Sequence, residues 1–201
     1  MRNGCFKRHT LQHLLARRRS VRSYADEPVP LSALLNILSA GQGRTSTEGK
    51  RAAPSAHALY PLTLGVVVRR VDGLAPGFYR FEPESAQLKP GGHCVQTGAL
   101  NAAALGDETW LEDAAVVVVI IGNRGLAIQH FAEQQADGLR GARYVDFEAG
   151  AVAQSMYLAV TAEGLGSVVV MGFDDAAMTS ALGLDESGQP VALFCVGRPV
   201  V

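Results

Sequence analysis

The sequence predicts an α+β fold, a mixed β-sheet flanked by helices with one long buried helix at its centre. Three observations predict it. Residues 114–121 form a β-branched run without alternation, as expected of a central strand covered on both faces. Residues 145–163 set Val145, Phe147, Ala149, Val152, Ala153, Met156, Leu158, Ala159 and Val160 on nearly every face of a helix, which therefore needs cover all round. Further short strand and helix patterns surround these two with no internal repeat, low-complexity tract or linker, so residues 1–201 are expected to form a single domain.

Residues 9–19 read as a helix with Leu11, Leu14 and Leu15 on one face and basic residues elsewhere. The first 24 residues contain no Asp or Glu, a composition shared with transit peptides, so a targeting role is the alternative to a plain basic helix. They lack the sustained apolar core of a secretory signal. Asp26-Glu27-Pro28-Val29-Pro30 reads as an extended connector, because proline disfavours helix at the residue before it. Leu31, Leu34, Leu35 and Leu38 then follow helical spacing, with Ser32 near the start. Residues 41–58 show no periodicity and form the longest loop-like stretch, a feature usually functional or disordered in compact domains. Residues 62–71 read as a strand, Asp72-Gly73 as a turn and residues 77–81 as the partner strand. An alanine-rich helix is expected over 97–105, and residues 124–140 start as helix and end as loop. Gly164 suits the left-handed position that ends the central helix. A strand over 167–171, a short helix over 175–182 and a final strand over 191–196 complete the pattern.

Composition narrows the function classes. Apolar residues make up 48% and charged residues 18%, which supports a buried core and opposes a disordered chain. Eighteen basic residues against 19 acidic ones leave a net charge of -1, which opposes a polybasic nucleic-acid binder. The apolar run 114–121 is far shorter than the roughly 20 residues a membrane helix requires. Cys5, Cys94 and Cys195 are odd in number and far apart, so neither a disulfide framework nor a zinc site is expected and a reducing cytoplasm is. The 22 glycines mark either loops or places where backbone approaches a ligand closely.

The chain has no phosphate-binding G-x-x-x-x-G-K-[ST], no G-x-G-x-x-G after a strand, no H-E-x-x-H and no G-x-S-x-G. Three positive features remain. Arg17-Arg18-Arg19-Ser20-Val21-Arg22 is either a solvated basic helix end or an anion site, since guanidinium forks and a hydroxyl suit phosphate oxygens. Pro54-Ser55-Ala56-His57-Ala58-Leu59-Tyr60-Pro61 either stiffens a loop before a strand or lays small residues against a planar ligand. Met171-Gly172-Phe173-Asp174 follows a strand, where Asp174 either caps the next helix or borders a ligand site at the strand's carboxyl end.

Together, Arg18-Arg19-Ser20-Val21-Arg22, the P-S-x-x-x-x-x-P loop, the long helix, Gly172-Phe173-Asp174 and Val196-Gly197-Arg198-Pro199 resemble the FMN-dependent nitroreductase-like oxidoreductases, from about Arg18 to Pro199. The most similar branch is that of the SagB-type (thiazole/oxazole-forming) dehydrogenases, whose loop reads PSAG-x-LYP against PSAHALYP here. Residues 143–154 are also similar to that branch's helix entry. The resemblance implies a homodimer with FMN at the subunit interface and the long helix at the dimer centre. It assigns Arg18, Arg19, Ser20 and Arg22 to the FMN phosphate, ribityl chain and pyrimidine edge, and Arg198 to the phosphate. Pro54, Ser55, Ala56 and His57 would approach the flavin from the other subunit, and Met171 and Gly172 would border its ring system. The implied activity is two-step hydride transfer on FMN, from NAD(P)H or an organic donor to a small acceptor. Its alternatives are a peptide azoline dehydrogenase of a biosynthetic cluster and a non-catalytic flavin-binding scaffold. A small-molecule or peptide-derived substrate is expected, with no metal, nucleic acid or membrane partner. Two departures stand out: the azoline branch's Lys-Tyr pair falls on Ala136-Asp137, and His57 occupies a position usually held by glycine.

Overall fold

A computed structural model describes residues 10–185 and 187–200. Cys5, His9 and the first third of the acid-poor stretch lie outside the described residues. The sheet has six strands, β1 (Leu62–Val68), β2 (Gly77–Glu82), β3 (Gln87–Pro90), β4 (Val116–Gly122), β5 (Gly166–Val170) and β6 (Gln189–Gly197). Their order across the sheet is β3-β2-β1-β4-β6-β5, and every strand pair is antiparallel. Parallel pairing is confined to isolated bridges such as Ser20 with Ser167 and Val29 with Val71. The expected mixed sheet thus has an antiparallel frame with parallel contacts only where a connecting segment touches it.

The helices are α1 (Leu11–Arg17), α2 (Leu31–Gln42), α3 (Ala99–Ala103), α4 (Trp110–Asp113), α5 (Arg124–His130), α6 (Arg140–Ala162) and α7 (Asp175–Ala181). Two apolar clusters flank the sheet. One contains α2, α6 and the sheet residues Val66, Val118, Ile120 and Phe194. The other contains Val67, Val117, Val119 and Leu193 together with side chains of α3, α4 and α7. Successive β4 side chains therefore alternate between two buried faces, which is why its sequence reads as an uninterrupted apolar run. Burial pushes the Cys195 thiol, on β6, up to about 12. No described helix is long and apolar enough to cross a membrane.

The central helix differs from its sequence pattern in two ways. It begins at Arg140 rather than Val145, and its N-terminal turn packs against α5 through Gly141, where an added Cβ would stand 2.1 Å from the Ala127 carbonyl oxygen. Nor is it covered all round. Val145, Glu148, Ala149, Val152, Met156 and Val160 are buried, while Phe147 stays 75% exposed and Gly150 and Gln154 face outward. Within one chain it is amphipathic.

The short elements β3 and α4 escape the sequence pattern because four residues carry too little periodicity to read. Pro30 precedes α2 without any side-chain cap, so Ser32 has no capping role there.

Gly141→Ala is expected to lower unfolding stability by about 2 kcal/mol, since overpacking against fixed backbone outweighs alanine's better helix propensity. Urea denaturation followed by far-UV circular dichroism measures it, and an unchanged midpoint contradicts the close α5–α6 approach.

Candidate cofactor site

The site is built along the β5 edge of the sheet. After α1, residues 18–25 run extended: Val21 N–H donates to the Ser167 carbonyl at 2.9 Å and Ser20 bridges Ser167. Tyr24 bridges Pro199, and its hydroxyl donates to the Val21 carbonyl at 2.7 Å. This path sets the basic residues apart. The Arg18 guanidinium lies 5.2 Å from the Tyr157 ring centroid on the α6 layer. Arg22 lies 5.6 Å from the Trp110 ring on the opposite layer. Arg19 turns back and donates to the carbonyls of Ala16 and Arg18 at 2.9 and 2.8 Å, which is the helix-end role. The basic motif therefore divides, with Arg19 closing α1 and Arg18 and Arg22 straddling the sheet edge.

Met171 and Gly172 follow β5 and continue its alternation. Met171, 63% exposed, lines a cavity of about 230 Å³ with Gly150, Gln154, Tyr157 and Val169. Tyr157 ties that wall to the sheet, its hydroxyl accepting from Val169 N–H at 2.8 Å. Gly172 faces the other layer: its carbonyl accepts from Leu105 N–H at 2.8 Å, and a Cβ there would meet Glu108 Oε1 at 3.8 Å. The Gly172 N–H donates to no carbonyl among the described residues. Asp174 caps α7 through Ala177 N–H at 2.7 Å, so the capping reading of that residue is the one observed.

Glu108 and Trp110, which the sequence reading passed over, complete this corner. Glu108 Oε2 and Trp110 Nε1 are both buried without a hydrogen-bond partner. Burial pushes the Glu108 carboxyl above the usual carboxylate range, while Arg22 pulls it back. Buried polar atoms are nearly always bonded; these two sit beside Arg22 and Gly172, and the other unbonded buried side-chain atoms among the described residues are Arg70 Nε, His93 Nε2 and Asn101 Oδ1. A single tryptophan two residues after a glutamate carries no recognisable spacing, and nothing in the sequence marked them.

The loop Pro54–Pro61 lies elsewhere on α6. Ala56 N–H donates to Glu148 Oε1 at 2.8 Å, and Ser55 Oγ accepts from Tyr60 N–H at 2.8 Å. Burial pushes the Glu148 carboxyl up, and the Ala56 N–H and the nearby Ser55 hydroxyl draw it back. His57 lies outside, its Nδ1 3.2 Å from His130 Nε2 and its ring against Phe131. Pro54 is exposed. Glu148 and Tyr157 stand nine residues apart on α6, about 14 Å at 1.5 Å per residue. One chain therefore does not bring the loop to Arg18.

Arg198 is engaged as well. It pairs with Glu27 at 3.2 Å and donates to the Pro28 carbonyl at 3.3 Å, holding the connector before α2. Ala136 and Asp137 fall in a turn where Asp137 Oδ1 accepts from Leu139 N–H at 2.8 Å. Gly150 is the signal the sequence did offer: glycine inside a helix costs about 1 kcal/mol relative to alanine, and here a Cβ would meet nothing within 4 Å. The cost keeps open the wall of the Met171 cavity. Among the described residues no cluster of three or more His, Cys, Asp or Glu could hold a metal.

The sequence profile of the Nitroreductase family matches residues 15–198. A protein of Methanocaldococcus jannaschii named as a nitroreductase is 35% identical over 195 residues, spanning 94% of this chain and 91% of its own length. A Thermus thermophilus NADH dehydrogenase is 29% identical over 205 residues, spanning 91% of this chain and 83% of its own. A solved structure from Desulfovibrio desulfuricans, also named as a nitroreductase and determined in complex with FMN, is alike in fold, with a TM-score of 0.67 at 21% identity over 96% of this chain and 88% of that one. A profile match along nearly the whole length, joined to the sheet-edge site that its residues form, places this chain in the nitroreductase family.

Proposed function

We propose that the chain is an FMN-dependent oxidoreductase that works as a homodimer, passing hydride from NAD(P)H or an organic donor to a small acceptor. The observation that carries this reading is the corner of Arg22, Glu108, Trp110 and Gly172, where two buried polar atoms await a partner. A planar heterocycle with carbonyl and imide groups along one edge is complementary to such a donor and acceptor pair. The flavin of the Desulfovibrio relative and the nicotinamide named for the Thermus relative support the cofactor and the donor.

FMN, when bound, supplies a ring that accepts hydride from one partner and returns it to the next. The chain's own residues bind and orient it. Arg22 offers a fixed positive charge beside the ring edge where negative charge gathers on reduction. Arg18 and Ser20, along the same extended segment, suit the phosphate and ribityl oxygens, and Arg19 supports them by fixing the end of α1. The Gly172 N–H, which bonds no carbonyl among the described residues, would be available to the ring, and Met171 would supply an apolar wall on one side. Arg198 contributes by holding the connector before α2 through Glu27 and the Pro28 carbonyl.

A second copy completes the site. The exposed Phe147, the open Gly150 and the roughly 14 Å between loop and arginines fit an arrangement in which Pro54–His57 of one copy meets the cofactor of the other. The unpaired thiols of Cys94 and Cys195 suit a reducing cytosol.

Purified protein incubated with FMN and desalted is expected to keep a flavin spectrum that bleaches on anaerobic NADH or NADPH addition. Absence of retained flavin overturns the reading, and retention without bleaching by any donor favours the scaffold role. Arg22→Ala is expected to weaken FMN binding about tenfold to a hundredfold, the worth of one charge-assisted hydrogen bond. Gly150→Leu is expected to leave thermal stability of the fold unchanged or higher while abolishing flavin retention, because the side chain fills a cavity rather than the core.

A further inference from the structure

Three residues without the freedom of glycine hold left-handed backbone in one short stretch: His57 at φ 53°, Ala58 at φ 54° and Tyr60 at φ 50°. Such strain persists only where the surroundings over-determine it. What surrounds this stretch is a buried carboxylate. Glu148, in the middle of α6, is 5% exposed and has no cationic partner among the described residues. It accepts from Ala56 N–H at 2.8 Å, the Ser55 hydroxyl beside it favours its ionised form, and Ser55 Oγ accepts in turn from Tyr60 N–H at 2.8 Å. The relay Tyr60–Ser55–Glu148 therefore grips the strained stretch at both ends. On the far side His57 meets His130 at the end of α5 and Phe131 just after it, and the Tyr60 hydroxyl accepts from Arg51 N–H at 3.2 Å.

We propose that Glu148 is a positioning residue, which holds the Ser55–Tyr60 loop in the conformation that meets the cofactor of a second copy. The cofactor half of this statement rests on the function proposed above; the loop half does not.

The chemistry explains why an acid stands there instead of an amide. An ionised carboxylate only accepts, so it suits both the amide proton of Ala56 and the hydroxyl proton of Ser55. That fixes the direction of the Ser55 hydroxyl and leaves its lone pair for Tyr60 N–H. A glutamine side chain would keep one acceptor for Ala56 N–H but turn an N–H toward Ser55 Oγ, reversing that side of the relay and removing the charge that strengthens it, although a neutral amide is easier to bury than a charge. The fold alone would favour the amide. The ordered loop requires the acid.

This opposition separates a positioning role from a merely structural one. In Glu148→Gln at pH 8, the melting temperature is expected to stay level or rise, because a buried unpaired charge is gone. Hydrogen exchange at the Ala56 and Tyr60 amides of the FMN-free protein is expected to speed up at least tenfold, and FMN affinity to fall about tenfold. Ser55→Ala, a half-buried loop change that leaves the core intact, is expected to speed the same amides, and Ser55→Thr, which keeps the hydroxyl, to restore their protection. Unchanged exchange in both Glu148→Gln and Ser55→Ala overturns the proposal, as does a joint fall of melting temperature, protection and affinity in Glu148→Gln. Wild-type protein that binds no FMN overturns the cofactor half alone, while the exchange measurements still decide the loop half.

Discussion

The molecule depends on one contact, the laying of residues 20–25 against the open edge of the sheet. An uncovered edge strand offers a row of unpaired backbone groups to any passing chain. Here β5 is that edge, covered by Val21 N–H to the Ser167 carbonyl at 2.9 Å, and the same segment pairs with the residues after β6 through Ala25 N–H to the Arg198 carbonyl at 2.9 Å and Val200 N–H to the Ser23 carbonyl at 3.2 Å. Gly166 makes the approach feasible, since a Cβ there would stand 2.8 Å from Val21. Pairing in extended form also fixes how far apart the basic side chains fall. Arg18 goes to the α6 layer and Arg22 to the α4 layer, so the covering of an edge and the placing of two cations are a single structural event.

Around that edge the chain departs from what stability alone would select. Gly150 interrupts a helix with nothing of its own chain to accommodate, Phe147 is exposed, Glu148 is a buried acid without a cation, and Glu108 and Trp110 bury polar atoms without partners. The opposite holds at β4, where every residue from Val116 to Gly122 is buried and the two apolar clusters meet it from both sides. These exceptions lie off the β4 core, on α6 and at the α4 corner of the opposite layer.

The strands other than β3, the end of α6 and the capping residue of α7 were legible because each depends on neighbours in sequence. The run at 114–121, the Gly164 terminator and Asp174 are local signals, and their reading needs only periodicity or a single hydrogen bond. The basic motif was legible as a cation cluster but not as a divided one. Arg17, Arg18 and Arg19 are chemically alike, and only the turn from helix to extended chain sends Arg19 back to the Ala16 carbonyl and Arg18 outward to Tyr157. The loop at 54–61 was legible as special, yet its strain and its debt to Glu148, 92 residues away, are tertiary facts.

What the sequence by itself determined was the class of fold, the central strand, the long helix and the kinship carried by R-R-S-x-R, the P-S loop and V-G-R-P. These follow from side-chain period, from proline and glycine stereochemistry, and from residues that stand together in the chain. Only the tertiary structure decided which face of the long helix is left bare, that Glu108 and Trp110 join Arg22 and Gly172 at one corner, and that the loop and the arginines stand apart on the same helix. The physical reason is range. Periodicity and capping act over a few residues, whereas a close backbone approach, a buried acid or an orphaned polar atom exists only after distant segments have packed.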